Sequence, residues 1–114
     1  MKTVKAETSL GRYKITNFLQ TGFLFKNSEM NWNSAINEAG KIEGGGWRLP
    51  TLEECITIHN ETDAFDDLEG EWILWCQDQS IDNKESAYIF DPIGSLTGFW
   101  NKKDEFKAIG VKEL

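Results

Sequence analysis

The sequence predicts one α+β domain that contains two helices and an antiparallel β-sheet. The chain has 114 residues, a length typical of one domain. Its predicted elements follow the order strand, helix, helix and then several strands. This segregated order favours an antiparallel sheet, because parallel sheets are built from strands that alternate with helices. We therefore expect residues 1–114 to form a single domain.

The predicted strands are short segments rich in aromatic and β-branched residues. In RYKITNF (12–18), Tyr13 and Ile15 alternate with polar residues, as expected for a half-buried strand. A short apolar run, FLFK (23–26), follows a Thr-Gly turn signal. Three further strands are predicted at 71–77, 86–92 and 106–113, with a loop or hairpin at 93–105.

A first helix is predicted within MNWNSAINEAGKIEGGG (30–46). Asn31 is a suitable N-cap, because its side-chain oxygen can accept an unpaired backbone N–H. The apolar residues that follow recur at helical spacing and form one stripe: Trp32, Ala35, Ile36 and Ala39. The three glycines 44–46 end the segment, since glycine adopts the left-handed conformation without steric cost.

The second helix begins within GGGWRLPTLEE (44–54). Thr51 and Glu54 have the spacing of a capping box, and Pro50 lies just outside it. The pattern predicts that one face of this helix carries Leu52, Cys55, Ile56 and His59. The whole predicted core comprises Trp32, Ile36, Trp47, Leu49, Leu52, Ile56, Trp72, Leu74, Ile89 and Ile109.

The net charge of −7 is concentrated in one segment. Residues 53–71 carry eight acidic side chains and no Lys or Arg. Because no basic face is apparent, binding to nucleic acids or to anionic membranes is disfavoured. The sequence shows no secretory signal and no apolar stretch of membrane-spanning length. We therefore expect a cytoplasmic protein whose two cysteines, Cys55 and Cys76, are reduced, buried and close together.

The segments TGFLFKNSEMNWNSAINEA and GGGWRLPTLEEC resemble the bacterial Lcl-type C-terminal domain family, a branch of the C-type-lectin-like fold. The later SAYIFDPIGSLTGFWNKKDEFKAIGV looks like the closing part of those domains, so the resemblance covers about residues 20–114. It implies two helices flanking a twisted antiparallel sheet. It also implies that the planar guanidinium of Arg48 bonds backbone carbonyls or a carboxylate. Family members often carry cysteines where this chain has Gly40 and Val111, and a serine-rich segment where it has residues 75–78. These departures favour a cytoplasmic form without the disulfide.

Catalytic and metal-binding patterns are weak in this sequence. Cys55 and His59 are four residues apart, but acidic neighbours raise a thiol pKa rather than lower it. The acidic segment 61–71 lacks the EF-hand spacing, and Trp100-Asn101 is followed by Lys102 where a calcium-binding lectin pattern would have Asp. A solvated acidic loop is therefore favoured over a metal site, and no cofactor is expected.

The resemblance places a ligand surface on the loop region and the adjoining final strands. Aromatic, amide and charged side chains combine there, a composition typical of binding hot spots. The lysines 102 and 103 would favour an anionic group on the partner. The candidate site residues are Trp75, Gln77, Asp78, Trp100, Asn101, Lys102 and Asp104.

The favoured function is a non-catalytic recognition module that binds a protein or small ligand without calcium. Two alternatives stay open. The first is an enzyme on the same fold, of which the formylglycine-generating branch is catalytic. The second is an assembly subunit of a phage or secretion-type particle. The oligomeric state is not predicted. Trp75 and Trp100 have a second interpretation as core residues, in which case they would bind no ligand.

Overall fold

Two three-stranded antiparallel sheets form the α+β fold, where the sequence led us to expect one sheet. The computed structural model describes residues 3–17, 29–67, 73–92 and 96–114. The elements in chain order are β1 (Thr3–Thr8), β2 (Gly11–Asn17), α1 (Trp32–Gly40), α2 (Leu52–Glu61), α3 (Ala64–Asp67), β3 (Leu74–Gln79), β4 (Ser86–Asp91), β5 (Leu96–Asn101) and β6 (Ile109–Glu113). The short apolar run at 23–26 lies outside the described residues.

The first sheet has the strand order β1-β2-β6. Its centre is the predicted strand β2, whose Tyr13 and Ile15 are buried as expected. Strand β1 was not predicted from the sequence, because Val4 and Ala6 are the only apolar residues that alternate with polar ones along it. β2 also pairs with β6, so this sheet joins the first and the last described strands of the chain.

The second sheet has the order β3-β4-β5, and its strands β3 and β4 are covered on both faces. On one face, Leu74, Cys76 and Phe90 belong to a core cluster that includes residues of the first sheet and of α2. On the other face, Trp75 and Ile89 pack with α1 in a second cluster. Within residues 93–105, where a loop or hairpin was expected, the structure describes one strand, β5, which pairs with β4.

Local hydrogen bonds fix both helix starts as the sequence predicts. The Asn31 side chain accepts the N–H of Ser34 at 2.9 Å. The Thr51 hydroxyl accepts the N–H of Glu54 at 3.1 Å, and the Glu54 carboxylate accepts the N–H of Thr51 at 2.9 Å. The glycines 44–46 all have positive φ angles, as expected for the turn between the helices.

The predicted inner face of α2 is partly wrong. Ile56 is 37 % exposed, whereas Ile58 is fully buried. The capping box turns Glu54 inward towards Arg48, so residues 54, 55 and 58 face the core and Ile56 faces outward. His59 is half-buried against the rings of Phe65 and Phe90.

The rest of the predicted core lies inside the protein wherever the structure describes it. Five of these side chains are buried: Trp32, Leu49, Leu74, Ile89 and Ile109. Ile36, Trp47 and Leu52 are half-buried against the two core clusters. Trp72 lies outside the described residues.

The acidic segment that was expected to be a loop contains the short helix α3. Ala64 and Phe65 are buried there, and their burial holds the segment against the first core cluster. Residues 68–72 lie outside the described part. Within the described ranges, no helix has the length and apolar composition needed to cross a membrane.

Gly110 lets the segment between the two helices pack closely on β6. A β-carbon at this position would lie 2.6 Å from Ile42 Cδ1 and 3.3 Å from Trp47 Cε3. We expect Gly110→Ala to lower the free energy of unfolding by about 1 kcal/mol, at the low end of the usual cost of overpacking a core, because the closest atom is the terminal methyl of the Ile42 side chain, which can move. Urea denaturation followed by tryptophan fluorescence measures this change.

Gly40→Ala is the matched control for Gly110→Ala. A β-carbon at residue 40, the last residue of α1, meets nothing within 4 Å. This variant should be neutral or more stable by about 0.5–1 kcal/mol, because alanine is the better helix former. Equal stability losses in both variants would contradict the packing explanation for Gly110.

Candidate functional site

Trp75 is a core residue, and its inclusion in the recognition surface is wrong. The side chain is fully buried. Its indole N–H donates to the Met30 carbonyl at 2.8 Å, and its ring meets Phe106 edge-on at 5.0 Å between centroids. The alternation along β3 directs Trp75 towards α1, so it is inaccessible to a ligand on the surface.

Gln77 and Asp78 support the start of α2. The backbone N–H of Gln77 donates to the Pro50 carbonyl at 2.7 Å. Asp78 Oδ1 accepts the N–H of Leu52, the first residue of α2, at 3.1 Å. A carboxylate is favourable at a helix N-terminus. The contact with the helix start therefore gives Asp78 a structural role. The Gln77 side chain is exposed and stays a candidate ligand contact.

Trp100 lies on the surface, with half of its area (51 %) exposed. Its ring approaches Phe106 edge-on at 6.3 Å between centroids, so one edge rests on the protein. Asn101 ends β5, and the N–H of Asp104 donates to the Asn101 carbonyl at 3.0 Å across the turn that follows. Both side chains are exposed.

Lys102 joins this turn to the first helix. Its backbone carbonyl accepts the N–H of Trp32 at 3.0 Å. Its ammonium lies 4.5 Å from the centroid of the Trp32 ring and donates to Gln79 Oε1 at 2.6 Å. The cation–π contact and the hydrogen bond hold the lysine in place.

A polar recess of about 280 Å³ forms where the turn meets the start of α1 and the turn before β4. The backbone N–H of Lys102 donates to the Glu85 carbonyl at 2.7 Å, which fixes the two turns to each other. The residues that line the polar recess are Asn31, Asn33, Lys84, Glu85, Asn101, Lys102 and Lys103.

Hydrogen-bond donors predominate in the polar recess. The side-chain oxygens of Asn31 and Asn101 already accept backbone N–H groups, so their amide NH₂ groups are the free ends. Within the described ranges, the ammonium groups of Lys84 and Lys103 have no ion pair or hydrogen bond. Glu85 supplies the single carboxylate of the lining. The recess therefore offers positive charge and N–H donors on a protein of net charge −7.

An apolar cleft of about 250 Å³ lies beside Trp100. Its lining residues are Ile73, Ile89, Asp91, Thr97, Gly98 and Trp100. A β-carbon on Gly98 would meet nothing within 4 Å, so the cleft is open above this glycine. Trp100 thus borders the apolar cleft, whereas Asn101 and Lys102 line the polar recess. The sequence led us to expect all three residues on one surface.

Arg48 occupies a second charged cluster, and this cluster is structural. Its guanidinium donates to both carboxylate oxygens of Glu54 at 2.6 and 2.9 Å, and to Glu113 at 3.1 Å. It also donates to the Leu49 carbonyl at 3.2 Å, so both predicted kinds of partner are confirmed. Burial raises the pKa of Glu54, but bonds from Arg48, from the Thr51 N–H and from Tyr13 outweigh it and lower the pKa to about 2.

Cys55 and Cys76 lie with their sulfur atoms 3.8 Å apart in the first core cluster. The proximity expected from the sequence is confirmed, and both side chains are fully buried. Burial, followed by contact with Cys76, raises the pKa of Cys55 well above its usual value. A thiol in this environment is a poor nucleophile. The oxidation state stays a prediction.

Among the residues that the structure describes, no three His, Cys, Asp or Glu side chains come together as a group that could hold a metal ion. The polar recess itself disfavours cations, since three lysines surround its one carboxylate. Part of the acidic segment 61–71 lies outside the described residues.

Comparison with protein-family models finds no match, and comparison with curated proteins finds no matching relative. Function is therefore inferred from the geometry of the polar recess. Asn101 and Lys102 of the recess were predicted as site residues from the sequence, whereas Asn31, Asn33, Lys84 and Glu85 were not. Asn31 carried a local signal only as a helix cap, and Lys84 carried none. Tertiary packing brings these residues together.

Proposed function

We propose that this protein is a non-catalytic recognition module that binds a small anionic ligand in the polar recess, without calcium. The observation that carries the proposal is the pair of ammonium groups on Lys84 and Lys103, which have no partner in the described part of the chain. A carboxylate, sulfate or phosphate group would accept hydrogen bonds from these lysines and from the free amides. The recess volume of about 280 Å³ suits a small ligand.

The position of the polar recess also supports the proposed assignment to the C-type-lectin-like fold, in its Lcl-type branch. That resemblance places ligand contacts on the loop region and the final strands. Within the recess, Asn101 is the last residue of strand β5, and Lys102 and Lys103 follow it. The capping box and the glycine turn of the GGGWRLPT segment are consistent with the same assignment.

The test is an NMR titration of ¹⁵N-labelled protein, first with inorganic phosphate and acetate and then with phosphorylated and carboxylated metabolites. We expect chemical-shift changes at the backbone amides of residues 31–33, 84–85 and 101–103. The double variant Lys84→Gln/Lys103→Gln should bind at least about 10-fold more weakly, which corresponds to about 1.4 kcal/mol. Added EDTA should change nothing.

The matched control is Lys5→Gln/Lys41→Gln, which removes the same charge elsewhere. Lys5 lies on β1, and Lys41 follows the other end of α1. This control should bind as the unmodified protein does, apart from a small loss of general electrostatic attraction. Equal losses in both double variants would indicate non-specific ion binding and refute the proposal, as would an absence of shifts around the recess.

A further inference from the structure

Among the residues that the structure describes, no strand pairs with the outer edge of β5. The register of the β4–β5 pair shows which backbone groups lie on this edge. The backbone N–H of Lys102 donates to the Glu85 carbonyl, so the adjacent pair, Ser86 with Asn101, does not exchange hydrogen bonds. Bonded and non-bonded pairs alternate along antiparallel strands. The N–H and C=O groups of Thr97 and Phe99 therefore point away from β4.

Features that normally protect an edge strand are missing from β5. Its sequence, LTGFWN, contains no proline and no charged residue, and its register with β4 is unbroken from Leu96 to Asn101. Natural sheets blunt exposed edges with charges, prolines or bulges. Phe99 and Trp100 also expose about half of their surfaces (55 % and 51 %), one on each face of the sheet. This edge is therefore apolar, and the outward backbone groups of Thr97 and Phe99 have no partner strand among the described residues.

We propose that β5 pairs with the β5 strand of a second copy of this chain, antiparallel and around a two-fold axis at Gly98. In this register Thr97 lies opposite the partner's Phe99, and Phe99 lies opposite the partner's Thr97. Each of these pairs exchanges two backbone hydrogen bonds. The outward groups of both residues are thereby satisfied, and the two β3-β4-β5 sheets become one continuous sheet.

Gly98 suits the position on the two-fold axis. The two central glycines form a non-hydrogen-bonded pair, in which the strands approach most closely. Neither glycine carries a side chain, and the space above each is open. Trp100 then lies diagonally across from the partner's Gly98, within reach of the partner's apolar cleft. The cleft volume of about 250 Å³ accommodates an aromatic ring, since a cavity of ~150 Å³ binds benzene.

A second copy fits this edge better than an unrelated strand does. Thr97 and Phe99 supply matching donors and acceptors to each other in a self-complementary register. The paired segment is uncharged, so the two-fold arrangement places no like charges opposite each other within it. Each chain nevertheless carries −7 overall. Added salt should therefore strengthen the pairing by screening this repulsion, whereas a partner held by opposite charge would be weakened.

The experiment is analytical ultracentrifugation of the full chain over a range of concentrations and at two salt concentrations. We expect a species of twice the chain mass of 13.0 kDa at high concentration, with more of it at high salt. Thr97→Pro should keep the protein at the single-chain mass, because proline removes the outward N–H and sterically blocks pairing. Thr97→Ala, which keeps the N–H, should associate as the unmodified protein does.

Hydrogen exchange of the Thr97 and Phe99 amides locates the interface. Both amides should exchange more slowly as the concentration rises. Far-UV circular dichroism and thermal melting check the fold of Thr97→Pro, and if that variant is unfolded, Phe99→Lys replaces it and should also stay at the single-chain mass. An unmodified protein that stays monomeric, a folded edge variant that still dimerises, or a dimer with unprotected 97 and 99 amides would overturn the proposal.

Discussion

Trp75→Ala should lower the free energy of unfolding by about 3–5 kcal/mol, as truncation of a large buried aromatic residue usually does. The side chain is fully buried in the second core cluster. Its loss leaves a cavity beside Phe106 and removes the hydrogen bond to the Met30 carbonyl. Chemical denaturation monitored by far-UV circular dichroism measures the change without relying on the tryptophan signal.

Trp100→Ala is the comparison for Trp75→Ala, because it removes a side chain of the same type from a half-exposed position. Its effect on the stability of the monomer should be below about 1.5 kcal/mol, since much of the ring contacts solvent already. The comparison is made at a concentration low enough to exclude association. Similar losses for the two variants would contradict the assignment of Trp75 to the core and of Trp100 to the surface.

Arg48→Ala should destabilise the protein by about 2–3 kcal/mol at neutral pH. Breaking a fully buried ion pair costs about 3–5 kcal/mol, and the effect is smaller here because the Arg48 side chain is 32 % exposed. Arg12→Ala is the matched control. Its pair with Glu7 is exposed on both sides, so its loss should cost less than about 1 kcal/mol.

The destabilisation by Arg48→Ala should depend on pH. The pKa of Glu54 is lowered to about 2 in the folded protein, below the value of about 4.3 for an unperturbed Glu. The stabilisation linked to its ionisation is fully present above the unfolded pKa and is lost as the pH falls through the folded pKa. Denaturation at pH 7 and pH 2 should show a smaller difference between the variant and the unmodified protein at pH 2. A difference that does not change with pH would contradict this role of Glu54.

The helix starts could be predicted because their hydrogen bonds are local. The Asn31 cap and the Thr51–Glu54 box each connect residues three positions apart. The error at Ile56 has a different origin. Glu54 is a polar residue in an inward position, and its bonds to Arg48, to the Thr51 N–H and to Tyr13 make that position favourable. A pattern based on apolar residues alone assigns this helix face incorrectly.

The candidate site could be predicted only in part, because tertiary contacts decide which side chains are accessible. Trp75 and Trp100 both lie in strands of the same sheet, yet one is fully buried and the other half-exposed. The sequence does not show that α1 covers the face of β3 that carries Trp75. The polar recess likewise combines three segments that are distant in the chain.

The pairing of β2 with β6 has a consequence for synthesis of this protein on the ribosome. β2 and β6 are separated by most of the chain. The backbone N–H and C=O groups of Arg48 also form hydrogen bonds with the backbone of Val111 in β6. Contacts between such distant residues form late, because their loops must close first. The nascent chain can make its helices early. It cannot complete the first sheet until residues 109–113 have emerged from the exit tunnel, so the native fold is completed only after those residues have been made.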